Sequence, residues 1–467
     1  MISELIRCHS GVLSTIGKNS LLLLCAFVIA ACSSDTPGEP TVGTAADYDA
    51  KVATAWFDLQ LDAVQTTPGF SPPVASRAFG YSGVAIYEAL IGGMPENRSL
   101  QGQINGLAEG SIPAAESNLE YHWPSVANAT MAQITRLLYP NATAEMIARI
   151  DSLESALAAE FAADADEAVI TRSIAYGESV ADAVFEYSKS DGGHEGYLRN
   201  FPTDYTPPTG EGFWVPTPNK GGGAPQSALQ PYWGDNRPFV LTPGAPNDVS
   251  DPGAPPAYSE ETGSAFYVEA NEVYQTLQNL TAEQEATALY WADDPVKTCT
   301  PPGHSVSIMT QCIIQQGGKL DAAALCYAQV GMAVADAFIA CWESKYRYNL
   351  MRPITYINEV IDPSYDYHDM PVNTPPFPEY TSGHSVQSGA AAAVLTHIFG
   401  PTFSFTDHTH DALGMAPRTY ASFDAAAEEA AISRLYGGIH FRAAIDNGVE
   451  QGKKIGEQVI SKVDWER

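Results

Sequence analysis

The chain has 467 residues, with 24 lysines and arginines against 55 aspartates and glutamates, and a formal net charge of −31. A chain this acidic repels nucleic acid and anionic lipid, so neither is an expected partner. It also repels free anions, so a cluster of basic side chains indicates a local anion site more strongly than it would in a basic protein. We attribute the acidity itself to solubility or salt adaptation.

Residues 1–31 have the pattern of a bacterial export signal. Arg7 and Lys18 precede an apolar run over residues 21–32, which is too short to span a bilayer. The run ends in IAAC, which resembles a lipobox and implies cleavage before Cys32 and lipidation of its sulfur. An ordinary signal peptide with another cleavage site is the alternative. We expect an exported lipoprotein, periplasmic or on the outer membrane or cell surface, that meets the membrane only through the lipid on Cys32.

The rest of the chain divides by composition. Residues 32–46 are rich in Ser, Pro, Gly and Thr and predict a flexible tether, and helical periodicity follows over 47–190 and 263–467. Residues 191–262 are rich in Gly, Pro and aromatic residues, which predicts a long ordered connection that covers part of the site. The predicted fold class is all-α, with two helical bundles packed together and the site in the C-terminal bundle. The predicted helices include 117–138, 142–163, 166–188, 263–278, 282–293, 304–316, 320–350, 382–399, 423–437 and 439–462.

Four cysteines follow the predicted signal and tether region. Export permits disulfides, and Cys299 and Cys312 lie on either side of a predicted helix start, so these two could pair. Cys326 and Cys341 lie in an Ala-rich helical run and are predicted to be plain buried thiols. The sequence contains no CxxC motif, so a zinc site is not expected.

The segment KYRYNLMRP brings two cations to one helix face. Lys345 and Arg352 are seven residues apart, about two helical turns, and Pro353 then ends the helix. Two cations on one face without intervening acids are costly unless an anion lies between them. The alternative is a solvated basic helix end whose carboxylate partners lie elsewhere.

The segment EYTSGHS predicts a helix N-terminus that can bind an anion. Thr381 or Ser382 can cap the helix, and Gly383 lets the backbone N–H groups approach a ligand closely. His384 lies in the first turn, where it can donate a proton to a bound oxygen or accept one. An ordinary surface histidine is the alternative.

The segment SRLYGGIH places Arg434 and His440 six residues apart across a Gly-Gly pair. The forked guanidinium suits an oxyanion, and the imidazole can bond covalently to a central phosphorus or vanadium atom. Together the three segments predict a cage for one tetrahedral oxyanion, either phosphate or its isostere vanadate.

The order K-x6-RP, SGH and SR-x5-H resembles the active-site signature shared by class A acid phosphatases, type 2 phosphatidic acid phosphatases and vanadium-dependent haloperoxidases. The length of chain before Lys345 and the segment YWADDPVKTCTPPGHSV over 290–306 resemble the haloperoxidases. The resemblance implies a vanadate cofactor and the oxidation of a halide ion by hydrogen peroxide to hypohalous acid, with a small organic acceptor. The halide and the oligomeric state, a homo-oligomer included, stay open.

The same resemblance implies a role for each matching residue. His440 is the expected axial vanadium ligand, and His384 the acid–base residue, hydrogen-bonded to Asp294. Trp342 and Phe377 match the halide pocket of chloroperoxidases, although both could be ordinary core residues. Groups expected to bind the vanadate oxygens are the side chains of Lys345, Arg352, Ser382 and Arg434 and the N–H of Gly383, with Lys345 also acting in catalysis.

One position departs from the superfamily pattern. An acid often follows the ligand histidine by four residues, but here that position is Ala444. The departure weakens a phosphatase assignment and leaves open what orients His440. Two alternatives to a haloperoxidase are kept: a periplasmic acid phosphatase, in which His440 attacks phosphorus and His384 protonates the leaving alcohol, and an inert surface lipoprotein with a relic site.

Overall fold

A computed structural model describes residues 43–221, 224–242 and 248–467. The predicted export signal and the predicted lipidation site at Cys32 lie outside the described residues. Helices before the connection are α1 (Lys51–Thr66), α2 (Pro72–Leu90), α3 (Trp123–Leu138), α4 (Ala144–Phe161) and α5 (Glu167–Ser188). Helices after it are α6 (Ala265–Gln278), α7 (Ala282–Tyr290), α8 (Thr300–Gln316), α9 (Leu320–Tyr348), α10 (Pro353–Tyr356), α11 (Gly383–Phe399), α12 (Phe423–Tyr436) and α13 (Arg442–Lys462). The predicted all-α class is confirmed.

Helix α9 is the centre of the core. Its mean hydropathy of 1.6 and its 29 residues would suffice by length and composition to cross a membrane, but 94% of its apolar window is buried inside the protein. It packs most extensively against α2. The two helices approach closely because Gly83 of α2 faces the backbone of Tyr327, where a Cβ would lie 2.3 Å from the carbonyl oxygen. The N-terminal helices are thereby fixed against the helix that carries Lys345.

The residues described from 43 onwards belong to one compact unit. The predicted division of this unit into bundles over 47–190 and 263–467 stays a prediction. Ala45, which falls in the predicted tether, is fully buried. In the described parts of the connection, 191–221, 224–242 and 248–262, the helical elements are two short 3-10 turns, Gly196–Leu198 and Trp233–Asp235. The connection is nevertheless anchored, because Trp214 and Trp233 are buried and the Asp336 carboxylate of α9 accepts backbone hydrogen bonds from residues 239–241 at 2.6–3.1 Å.

A small antiparallel hairpin was not predicted. Strands β1 (Phe405–Asp407) and β2 (Arg418–Tyr420) pair with Phe405 opposite Tyr420. Each strand has three residues, which is too short for an alternating pattern to be recognised in sequence. The hairpin matters because it brings Asp407, and His410 just after it, beside α8.

The prediction that Cys299 and Cys312 could pair is wrong. Helix α8 begins at Thr300, four residues before the predicted start, and Cys299 is its N-cap. The two cysteines are therefore separated along one helix by about 20 Å at 1.5 Å per residue, far beyond the reach of a disulfide. Both are free and buried, as are Cys326 and Cys341.

Helices α11 and α13 meet at glycines, which makes their packing testable. A Cβ on Gly452 would lie 2.0 Å from the Val386 carbonyl oxygen, a backbone atom that cannot move alone. Gly452→Ala is therefore expected to lower the free energy of unfolding by about 1–3 kcal/mol. Denaturant unfolding measures this value, with the exposed Lys454→Ala on the same helix as control, expected within about 0.5 kcal/mol of wild type. Equal free energies of unfolding for the two variants would contradict the prediction, because they would show that α11 and α13 can move apart at Gly452 without cost.

Candidate oxyanion site

The structure brings the three predicted segments to one place. Lys345 lies in the last turn of α9, Arg352 is the N-cap of α10, and Arg434 lies in the last turn of α12. Ser382 caps α11, and its hydroxyl accepts a hydrogen bond from the Ser385 N–H at 3.3 Å. His440 lies between α12 and α13, after the Gly-Gly pair, with Nε2 3.2 Å from Arg352 Nη1.

The three cations are buried without an acidic partner. Lys345, Arg352 and Arg434 are 0%, 0% and 1% exposed. The Lys345 ammonium donates to the carbonyl oxygens of Pro378 at 3.1 Å, Glu379 at 2.9 Å and Thr381. Both arginines likewise donate to backbone carbonyl oxygens, and no ion pair in the described ranges includes any of the three. Burial lowers the pKa of Lys345 to about 8 and those of Arg352 and Arg434 to about 10.

Unsatisfied polar atoms surround the same point. Nη2 of Arg352 and Nε2 of His384 are buried and have no hydrogen-bond partner among the described residues. A buried cation without a counter-charge costs several kcal/mol, so this arrangement calls for an anion that accepts several hydrogen bonds. The site therefore fits a tetrahedral oxyanion such as phosphate or vanadate.

Glu379 orients His440, which the sequence had left unexplained. His440 Nδ1 lies 2.7 Å from Glu379 Oε1, and the same oxygen accepts the Phe441 N–H at 2.9 Å. Since Arg352 donates towards Nε2, the proton of a neutral His440 ring lies on Nδ1 and donates to Glu379. The lone pair of Nε2 is then available for a bond to the central atom of an oxyanion. Burial raises the pKa of Glu379 to about 8, against the lowering effect of Arg352 and Lys345.

The assignment of Asp294 as the partner of His384 is wrong. Asp294 is 37% exposed and forms an ion pair with Lys297 at 3.0 Å. The adjacent Asp293 is fully buried, and its Oδ2 lies 3.9 Å from His384 Nε2. Asp293 has a φ of 49°, an uncommon backbone conformation that leaves its carboxylate buried while that of Asp294 reaches solvent. The Asp-Asp pair was visible in the sequence, but the choice between its members was not.

His384 Nε2 is buried without a hydrogen-bond partner among the described residues and lies 3.9 Å from the Asp293 carboxylate. Burial and the charge of Arg434 hold the pKa of His384 well below its usual value, and Asp293 opposes them. A neutral ring on the wall of the site can accept a proton from a bound ligand.

A cavity of about 520 Å³ opens onto these groups. His384, Arg434 and His440 lie on its wall together with Asn200, Phe201 and Leu229 of the connection. Trp342 and Phe377 line it too, with ring centroids 5.0 Å apart. The Phe377 ring also lies 5.0 Å from the Lys345 ammonium and 4.9 Å from the Arg352 guanidinium, so it contacts both cations. A halide role for the two aromatic residues stays a prediction.

Comparison with known proteins identifies the family. Residues 325–465 match the family model described as VCPO second helical-bundle domain. The crystal structure of a bacterial vanadium-dependent iodoperoxidase aligns with a TM-score of 0.78 and 37% identity, over 90% of this chain and 97% of that chain. The chain belongs to the vanadium-dependent haloperoxidases.

Two further structures share the haloperoxidase fold. The apo and holo forms of a bacterial vanadium-dependent chloroperoxidase each align with a TM-score of 0.60 and 16% identity. The alignments cover 84% of this chain and 94% of the apo chain, and 86% of this chain and 93% of the holo chain. No curated protein sequence matches this haloperoxidase.

The Glu379–His440 contact gives a prediction that separates the bond between His440 and vanadate from the attraction of the buried cations for any anion. Glu379→Gln keeps the size of the side chain but weakens the acceptor for His440 Nδ1–H, so Nε2 becomes a poorer ligand. We expect the affinity for orthovanadate to fall about 10- to 100-fold, the usual effect of removing a carboxylate behind a metal-binding histidine. Isothermal titration calorimetry measures it, with inorganic phosphate as the control ligand, whose affinity is expected to change less because it forms no bond to Nε2. An equal loss for both anions would contradict the orienting role.

Proposed function

We propose that this haloperoxidase oxidises a halide ion with hydrogen peroxide to hypohalous acid, which halogenates a small organic acceptor. The observation that carries the proposal is the set of three buried cations without acidic ion-pair partners beside His440, whose Nε2 carries no proton and lies 3.2 Å from Arg352 Nη1. Family membership supports vanadate as the anion. The residues proposed to hold it are Lys345, Arg352, Ser382, Gly383, Arg434 and His440.

When bound, vanadate supplies a Lewis-acidic centre that activates peroxide for attack by the halide. The chain supplies the coordinating Nε2 of His440, with its tautomer fixed by Glu379. The cations at positions 345, 352 and 434 neutralise the charge of the oxyanion, and the Gly383 N–H at the start of α11 adds a donor aligned with the helix dipole. Since all three cations are desolvated before the anion arrives, little reorganisation is needed at the moment of reaction.

His384 is the proposed proton carrier. Its ring lies on the cavity wall, and the carboxylate of Asp293, 3.9 Å from Nε2, can stabilise the imidazolium that forms. General acid–base catalysis of this kind contributes about 10²- to 10⁴-fold to a rate. The apolar wall formed by Trp342, Phe377 and Phe338 excludes bulk water from the reacting groups.

Iodide is the halide we propose first. The relative with 37% identity is an iodoperoxidase, and iodide is the easiest of the common halides to oxidise. The aromatic pair Trp342 and Phe377 was predicted from its resemblance to a chloroperoxidase pocket, so bromide and chloride are also to be measured. The relative turnover of the three halides decides between these assignments.

One observation keeps the phosphatase alternative open. The absence of an acid at Ala444 argued against a phosphatase, yet Glu379 provides a carboxylate to His440 from another segment. With that carboxylate present, His440 has the support that a nucleophilic histidine needs. The same cage would then hold a phosphomonoester, with His384 positioned to protonate the leaving alcohol.

A direct assay tests the function. Protein loaded with vanadate is expected to halogenate a phenolic dye in the presence of hydrogen peroxide and iodide, faster than with bromide or chloride. Lys345→Ala should abolish most of this activity, because a buried charge of the cage is lost. The matched control is Arg347→Ala, two residues away on the same helix, whose charge is 44% exposed and paired with Glu343 and Asp251.

The contradicting outcome is equally concrete. Phosphate release from para-nitrophenyl phosphate, inhibited by vanadate and without halide oxidation, would replace the haloperoxidase assignment with the phosphatase. The absence of both activities in the loaded protein would favour the relic site.

We also propose that the protein is exported and anchored through a lipid on Cys32, on the basis of the sequence pattern alone. Metabolic labelling with palmitate in a producing bacterium should mark the wild-type chain, and Cys32→Ala should prevent the labelling. An unlabelled wild-type chain in the periplasmic fraction would instead indicate an ordinary signal peptide.

A further inference from the structure

A second buried polar cluster lies behind His384, outside the oxyanion cage. Its members are Asp293, His304, Asp407 and His410, each at most 3% exposed. Asp293 precedes α8, His304 lies in α8, and the other two residues come from β1 and the turn that follows it. Three separate chain segments thus meet at a place that the predicted signature does not include.

His304 is held between two carboxylates. Its Nδ1 lies 3.0 Å from Asp293 Oδ2 and its Nε2 lies 2.7 Å from Asp407 Oδ2. The ring stacks on Trp291 at a centroid distance of 4.4 Å. Since each ring nitrogen faces a carboxylate oxygen, both carry protons and the ring is an imidazolium. Burial disfavours that charge, but the two carboxylates outweigh burial and raise the pKa of His304 to about 10.

Asp407 is the fixed end of this chain of contacts. Its Oδ2 accepts the Tyr290 hydroxyl at 2.7 Å, and its Oδ1 accepts the Thr409 N–H at 2.9 Å and hydroxyl at 2.6 Å. With His304 included, every acceptor direction of the carboxylate is used. Asp407 therefore cannot rotate, and the His304 ring is fixed in turn.

Asp293 is the end that faces the cage. Oδ1 lies 3.1 Å from His410 Nε2, and both carboxylate oxygens lie within 3.2 Å of His304 Nδ1. The two imidazoles hold the pKa of Asp293 well below its usual value despite burial. This leaves the outer side of Oδ2 directed at His384 Nε2, at 3.9 Å, as an ionised carboxylate of fixed orientation.

We propose that His304, Asp407 and His410 are positioning residues that act through Asp293 on His384. This inference rests on the proposed function only for the role of His384 in proton transfer. The Asp293 carboxylate stabilises His384 when that ring receives a proton, and the network prevents Asp293 from turning away or losing its charge. Arg434 of α12 and the imidazolium of His304 are the other charged groups that act on His384, and both lower its pKa.

A bound divalent metal is the other explanation of the cluster. One ligand atom each from Asp293, His304 and His410 lie within 4.8 Å of one another, and such a set can bind a transition metal. The charges favour the hydrogen-bonded network, because the imidazolium of His304 already lies between the two carboxylates and would repel a dication. A dication would also require His304 to give up the Nδ1 proton that it shares with Asp293.

A double-mutant cycle tests the proposal on the full-length protein. The cycle compares wild type with Asp293→Asn, His304→Gln and the double variant. Three measurements are made on each protein: the ring ¹⁵N spectrum of His384 without vanadate, the affinity for orthovanadate, and kcat and KM with peroxide and halide. Each single variant should change the His384 ring signals and lower kcat about 10- to 100-fold, with vanadate affinity within about threefold of wild type. In the Asp293→Asn background, His304→Gln should have no further effect.

Three results would overturn the proposal. The first is a change in the His384 ring signals and kcat on His304→Gln that is the same size in the wild-type and Asp293→Asn backgrounds. The second is a His304→Gln variant with wild-type ring signals and wild-type kcat. The third is a stoichiometric divalent metal in the purified protein that is lost in His410→Ala. If His304→Gln does not fold, Tyr290→Phe replaces it in the cycle, since it removes one hydrogen bond to Asp407 with little change in volume. The ring spectra need no turnover, so a protein without halide activity would refute the proposed function and still test this network.

Discussion

The burial of three cations without carboxylate partners is the constraint on which the rest of the structure depends. In water the charges of Lys345, Arg352 and Arg434 would cost nothing, but inside the protein they must be held by the dipoles of backbone carbonyl groups. That requires turns and helix ends with fixed carbonyl directions, which the segment before α11, the turn after α12 and the last turn of α7 provide. The overall acidity of the chain makes this local concentration of positive charge more selective, since anions are excluded elsewhere on the surface.

Two buried carboxylates lie beside the histidines of the cage. Glu379 holds His440, and Asp293 faces His384, so each functional imidazole has its own buried carboxylate at a different distance, 2.7 Å for the first and 3.9 Å for the second. The short contact fixes the tautomer of His440, with the proton on Nδ1 and none on Nε2. The longer contact places a carboxylate near His384 without a hydrogen bond to it, which suits a ring whose charge changes.

The sequence predicted the residues of the cage but not their supporting contacts. The cage residues Lys345, Arg352, Ser382, Gly383, His384, Arg434 and His440 form short local patterns that a sequence preserves. The prediction that Lys345 and Arg352 share one helix face is wrong, because α9 ends at Tyr348 and Pro353 begins α10. Glu379 lies in the same EYTSGHS segment, yet its role depends on a contact 61 residues away along the chain. The choice between Asp293 and Asp294 depended on one backbone dihedral, and the cysteine pairing on a helix start displaced by four residues. Such local details are decided by tertiary packing and carry no periodic signal.

The long connection has a consequence for the evolution of this enzyme. Its chain is fixed to α9 through backbone N–H groups bound to Asp336, while its side chains Asn200, Phe201 and Leu229 form part of the cavity wall. The Asn200 side chain also anchors the connection through Gly69 and Gln230, whereas the exposed Phe201 side chain only lines the cavity. Phe201 can therefore be exchanged without disturbing the hydrogen bonds to Asp336. A preference for another organic acceptor can thus evolve through substitutions in a region that contributes no charge to the cage.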